Sequence, residues 1–185
     1  MSYRFFCVRV VFDSVFIAAL LAVALFYGCA GWTVNGLRAD NFRGADAAQV
    51  VTMAGGAIAS MAVHTAGHIL YLETAGKEWH IDGLYEICDG KLSGSQRQWF
   101  GRAGFVAQLA VGGAVELVWP DSHFATGYHI GTAIETWTYP LLHRRDGDGH
   151  DFEMIDSGGG HGDAEWVIYS AAAGALLFDR QGGDR

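Results

Sequence analysis

The chain is short of charge. Only 17% of its 185 residues are Asp, Glu, Lys or Arg, against roughly 25% in soluble domains, while 51% are hydrophobic. It has no basic run and a formal net charge of −8. That excludes the phosphate-neutralising surface on which nucleic-acid binding depends. With only two prolines, the 26 glycines do not indicate a Pro/Gly-rich disordered chain. Many of them lie inside apolar stretches, where small residues let helices approach closely in a bilayer. The three cysteines, Cys7, Cys29 and Cys88, form no CxxC and cannot pair fully, so no disulfide framework is expected. Cys88 falls in what reads as a polar loop.

Five apolar segments alternate with polar, glycine-bearing loops. The first runs from Val10 to Gly31 behind Arg4 and Arg9. A charged start and a long apolar core describe a signal peptide or a first transmembrane helix. Its core, "FIAALLAVALFYGCAG", is long for a cleaved peptide and lacks a good small-x-small site, which favours an uncleaved anchor over residues 1–31. "FYGC" before Cys29 resembles a lipoprotein cleavage site, but Phe26 and Tyr27 fit it poorly. Residues 32–185 then form a single helical domain. The second segment, Ala48–Leu72, is long enough to cross a bilayer, for which about 20 residues are needed. The third (Ala103–Trp119), fourth (Phe124–Leu142) and fifth (Ala164–Phe178) are near or below the usual lower limit of about 17. Gly127 with Gly131, and Gly55 with Ala59, have the small-xxx-small spacing of close helix contacts. The expected fold is therefore all-α, a membrane bundle of four to five helices surrounded by lipid, with the second segment at its centre. By the positive-inside rule, Arg4 and Arg9 put the N-terminus inside, together with the 73–102 and 143–163 loops. Tryptophans near segment ends suit interfacial anchors.

Within the second segment, "VHTAGHILYLETAG" carries two histidines at i and i+4. On a helix these share a face, so His64 and His68 would present two imidazoles to one point. Inside an apolar segment, ionisable side chains are costly and face a cavity or one another. A metal site is one outcome; a pair of packing histidines is the other.

The same stretch resembles the HExGH…G helix of membrane-embedded zinc metalloproteases of the site-two protease type, with Val63, His64, Gly67, His68 and Gly76 at matching positions. "GRAGFVAQLAVGGAVEL" is similar to the glycine-bearing second core helix of such proteins. "YPLLHRRDGDGHDFEMIDSGGG" is similar to their late Asp-Gly segment, although the Asn-Pro that precedes it is lacking. The resemblance implies a bacterial inner-membrane protein with zinc held by His64, His68 and a third, carboxylate ligand, and a membrane or peptide substrate. For that ligand Asp151 stands first and Asp148 second, beside the plain reading of a solvated acidic loop in which Asp151 begins a short helix. Thr65 departs from the pattern, because it replaces the glutamate that acts as general base on the metal-bound water. A threonine hydroxyl cannot take up that proton near neutral pH. Metal binding with impaired or absent peptidase activity follows, a possible pseudoenzyme. Glu135, central in the fourth segment, is the better candidate for a substitute base, ahead of Glu116; Glu73 points elsewhere. Two alternatives stand beside this reading. One is a non-catalytic structural or interaction protein of the membrane. The other is a small haem protein in which His64 or His68 pairs with His129.

Overall fold

The computed structural model describes residues 45–82, 85–143 and 151–178. The segment expected as an anchor over residues 1–31, and Asp148, lie outside them. Among the described residues the fold is mainly helical: α1 (Ala47–Thr74), α2 (Gly94–Val118), α3 (His123–His143), α4 (Asp151–Ser157) and α5 (Gly162–Phe178), with one antiparallel hairpin, β1 (Trp79–Asp82) and β2 (Tyr85–Cys88).

Local chemistry sets the ends of these elements. Asp46 and Gln49 close a capping box on α1, the side chain of each accepting from the other's backbone N–H at 2.8 Å. Ser93 and Gln96 do the same for α2. Reciprocal bonds of this kind satisfy N–H groups that a helix start leaves without partners. At the other end of α1, Gly76 adopts a positive φ of 64°. This lets Lys77 N–H reach Leu72 O and Gly76 N–H reach Glu73 O, a Schellman stop that closes the helix.

Two bounds differ from the sequence expectation. The 73–102 stretch is not a loop: it contains the hairpin and the first nine residues of α2. Hydropathy misses that start because its side chains, Gln96, Arg97, Gln98 and Arg102, are polar. Cys88 is likewise not in a polar loop. It lies buried on β2, packed with Leu72, Phe100 and Met154.

α1 runs antiparallel to α2, with Gly67 against Ala103 and Ser60 beside Gln108. It runs parallel to α3, with Met53 against Gly127 and Ser60 against Gly131. α5 returns antiparallel along α3, joined through Trp166 to Thr136 and Ser170 to Trp137. The hairpin and α4 therefore close the same end of the bundle. Contact between α1 and α3 is backbone-close: a Cβ on Gly127 would overlap the Met53 backbone, and one on Gly131 would stand 2.8 Å from Ala57 Cα. The matching seam on α1 is Gly56 and Ser60, both buried, not Gly55 and Ala59; Gly55 has nothing near it. The inward residues Met53, Gly56, Ser60, His64, Gly67 and His68 recur at the spacing of one helix face. The most enclosed helix is α3 rather than α1, because α1 leaves Val51, Ile58 and Leu70 outside.

The interior is mixed: beside buried Leu72, Phe105, Phe152 and Ile155 lie buried Gln108, Thr132, Thr136, His129, Glu135 and Ser60, and Val106, Val111, Leu117, Val167 and Ile168 face outward. α1 is the one described helix long and apolar enough to cross a membrane, and only 28% of its most apolar window is buried.

Candidate metal centre

His64 and His68 lie on adjacent turns of α1, and both imidazoles turn inward, 4% and 2% exposed. Space for them comes from α2. Gly104 packs against the two rings, and a Cβ there would stand 2.5 Å from both Nε2 atoms. Phe105, the next residue, closes edge-on against the His64 ring at 4.6 Å.

The third group arrives from the far side of the chain. α4 begins at Asp151, and Phe152 and Ile155 bury themselves against Phe105. Gly101 lets the α4 backbone approach α2 at Asp151. A helix start of this sequence ordinarily turns its aspartate onto its own N–H groups. Here the Asp151 carboxylate points to the histidines instead: its Oδ2 lies 2.9 Å from His64 Nε2 and 3.3 Å from His68 Nε2. The two Nε2 atoms are 3.0 Å apart. Burial alone would push the Asp151 carboxyl up, but the adjacent His68 and His64 outweigh it and hold it well below the usual carboxylate range.

His68 Nδ1 donates to the Phe100 carbonyl at 2.8 Å. This places the proton on Nδ1 and leaves Nε2 with its lone pair toward the centre, the arrangement of metal-ligating histidines. The donor set fits a metal ion by geometry and by chemistry. Donors about 2.0–2.1 Å from a tetrahedral zinc stand about 3.3–3.4 Å apart, close to the 2.9–3.3 Å edges of this triangle. Two imidazoles and one carboxylate are also the ligand types of catalytic zinc sites, which keep a fourth position open. The same three side chains also satisfy one another by hydrogen bonding when a proton occupies the centre, so the contacts serve both states.

Thr65 follows His64 and is half-buried beside the seam. Glu135 reaches the other edge of the His64 ring, its Oε1 3.7 Å from Nδ1, so it stands away from the point where the Nε2 atoms converge. Glu116 pairs with His129 Nε2 at 3.0 Å. Glu73 accepts from Trp79 Nε1 and is exposed. His80 pairs with Asp89 in an exposed contact, and His161 is exposed.

Sequence reasoning passed over Glu86. It is half-buried on β2, two residues before Cys88 and on the same face of the strand, directed toward the histidine end of α1. Burial pushes its carboxyl up, and the nearby His68 works against that rise. A signal was present: "WHID" and "YEIC" are separated by two residues that begin with glycine, a short-range mark of a hairpin.

No family model matches the chain, and no curated protein or solved structure matches it.

Proposed function

We propose that this chain is an integral membrane protein on a metalloprotease-like helical scaffold, in which His64, His68 and Asp151 hold a zinc ion. Its peptidase chemistry is impaired because Thr65 stands where the general base belongs. The observation that carries this reading is the convergence of three buried donor atoms, 2.9–3.3 Å apart, from helices 87 residues apart in sequence. Two imidazoles and a carboxylate gathered in an apolar bundle are costly unless they serve a function.

The apolar and largely unburied outer face of α1 supports a bilayer setting. A helix that is apolar but largely unburied would be an aggregation liability in water, whereas in lipid its outer face is satisfied. Trp99 and Trp119, both exposed, are of the residue type enriched at membrane interfaces.

A bound zinc ion lowers the pKa of its water to about 7 and polarises a carbonyl. The chain's own residues then set what happens. Asp151 and the two histidines would hold the ion, Gly104 and Phe105 shape the wall, and Thr65, next to His64, carries a hydroxyl that cannot take up a proton near neutral pH. Loss of a general base removes a contribution of about 10²–10⁴-fold. A second reading is favoured by the 2.9 Å His64–Asp151 contact: a hydrogen-bonded polar core in a non-catalytic structural membrane protein.

Metal analysis separates the two. The wild-type chain is expected to stay in membranes washed with alkaline carbonate and to carry one zinc after mild detergent extraction. His68→Ala is expected to remain in the membrane without zinc. Release by carbonate would remove the bilayer setting, and equal zinc in both proteins, or none in either, would remove the centre.

A further inference from the structure

We propose that Glu135 is a positioning residue for His64: its carboxylate, clamped by Gln108, faces the Nδ1 edge of the imidazole as a buried ion-pair partner and favours the ring orientation in which Nε2 faces the centre. This rests on the metal-binding reading above.

Four buried residues on three helices build the arrangement. Glu135 Oε1 approaches His64 Nδ1 at 3.7 Å, while its other oxygen accepts from Gln108 Nε2 at 2.7 Å. The same Gln108 amide donates to the Ser60 carbonyl at 3.2 Å. Two acceptors on one nitrogen require the NH2 end of the amide there, so the chemistry settles its orientation. Tyr128 in turn donates its hydroxyl to the Gln108 backbone carbonyl at 3.1 Å. Gln108, Ser60 and Tyr128 are at most 1% exposed and Glu135 7%, so the clamp is shielded from water.

The two histidines face different groups at Nδ1. His68 donates to a neutral carbonyl of Phe100, whereas His64 has a carboxylate 3.7 Å away, at ion-pair and not hydrogen-bond distance. A carboxylate behind a ligating imidazole orients the ring and raises its basicity as a ligand. The placement also separates the roles of the acidic groups. Asp151 meets the Nε2 edge of His64, where the ion would bind, and Glu135 meets the opposite edge. Glu135 therefore acts through His64 and not on a water at the centre. A purely structural role would need only an acceptor for Gln108, and an amide at position 135 would supply one.

Cobalt(II) and zinc binding to the full-length protein in detergent tests this, with Glu135→Gln and the exchange Gln108→Glu/Glu135→Gln. The exchange keeps one carboxylate and one amide in contact but moves the charge off the residue that faces His64. Both variants are expected to bind about 10–100-fold more weakly and to change the visible absorption of bound cobalt, with metal-free helix content kept in the exchange variant, whose thermal midpoint falls because Gln108→Glu gives up the bond to Ser60. Should Glu135→Gln unfold, the exchange decides. Wild-type affinity and an unaltered cobalt spectrum in the exchange would overturn the positioning role and leave the centre standing. A wild-type chain that takes up neither metal would overturn both.

Discussion

On the proposed reading, a single side chain at position 65 separates holding a metal from using it. Thr65 shares the turn of His64 but brings no group that titrates near neutrality. Thr65→Glu is therefore expected to raise zinc-dependent peptide hydrolysis by about 10²–10⁴-fold over the wild-type background, read with a quenched peptide in detergent. Unchanged turnover would show that the proton is handled elsewhere or that no hydrolysis is possible. Gly104 tests the opposite wall. A Cβ there would stand 2.5 Å from both Nε2 atoms, with no flexible chain end to yield. Gly104→Ala should weaken zinc binding by at least tenfold in a competition titration, and wild-type affinity would mean that the rings do not converge against α2. The sequence pointed to His64 and His68, because i, i+4 spacing reports one helix face. It ranked Asp151 ahead of Asp148 by the resemblance alone, because which carboxylate reaches the histidines depends on how α4 docks on Gly101.

Among the elements, the α1–α3 contact bears most on the centre. Gly127 and Gly131 bring the α3 backbone against Met53, Ala57 and Ser60, and that separation sets how far Glu135 stands from His64. Adding a methyl group at Gly127 forces the helices apart, and overpacking of this kind costs about 1–3 kcal/mol. Gly127→Ala should therefore lower the thermal midpoint in detergent and weaken metal binding together. If the midpoint falls and metal affinity does not, the two helices do not share the centre's geometry. The apolar periods marked α1, α3 and α5 to within about two residues. They shortened α2, whose first turns are polar and owe their helical state to the Ser93–Gln96 capping box. Gly55 was preferred to Gly56 because small-residue spacing alone does not say which face of a helix turns inward.

For the molecule as a whole, a metal that binds only the folded chain stabilises it by mass action, by about 2.7 kcal/mol at a free concentration 100 times Kd. Zinc is therefore expected to raise the thermal midpoint of the wild type and leave His68→Ala unmoved. The effect depends on pH with a definite sign. Imidazoles must be neutral to bind, so protons compete with zinc, and the shift should shrink as pH falls. It should be restored on raising the pH again. A zinc-induced shift that grows on acidification would place the ion on groups other than these histidines.

Composition and apolar periodicity by themselves determined a mainly helical chain with outward apolar faces and a histidine pair on one of its helices, because both are properties of neighbouring residues along one chain. Tertiary structure alone decided the rest: that Asp151, 87 residues from His64, turns its carboxylate onto the pair, that Glu135 takes the opposite edge of the ring, and that Gly104 leaves room for both imidazoles. These depend on contacts between helices distant in sequence, where a difference of one methyl group determines whether three donor atoms meet.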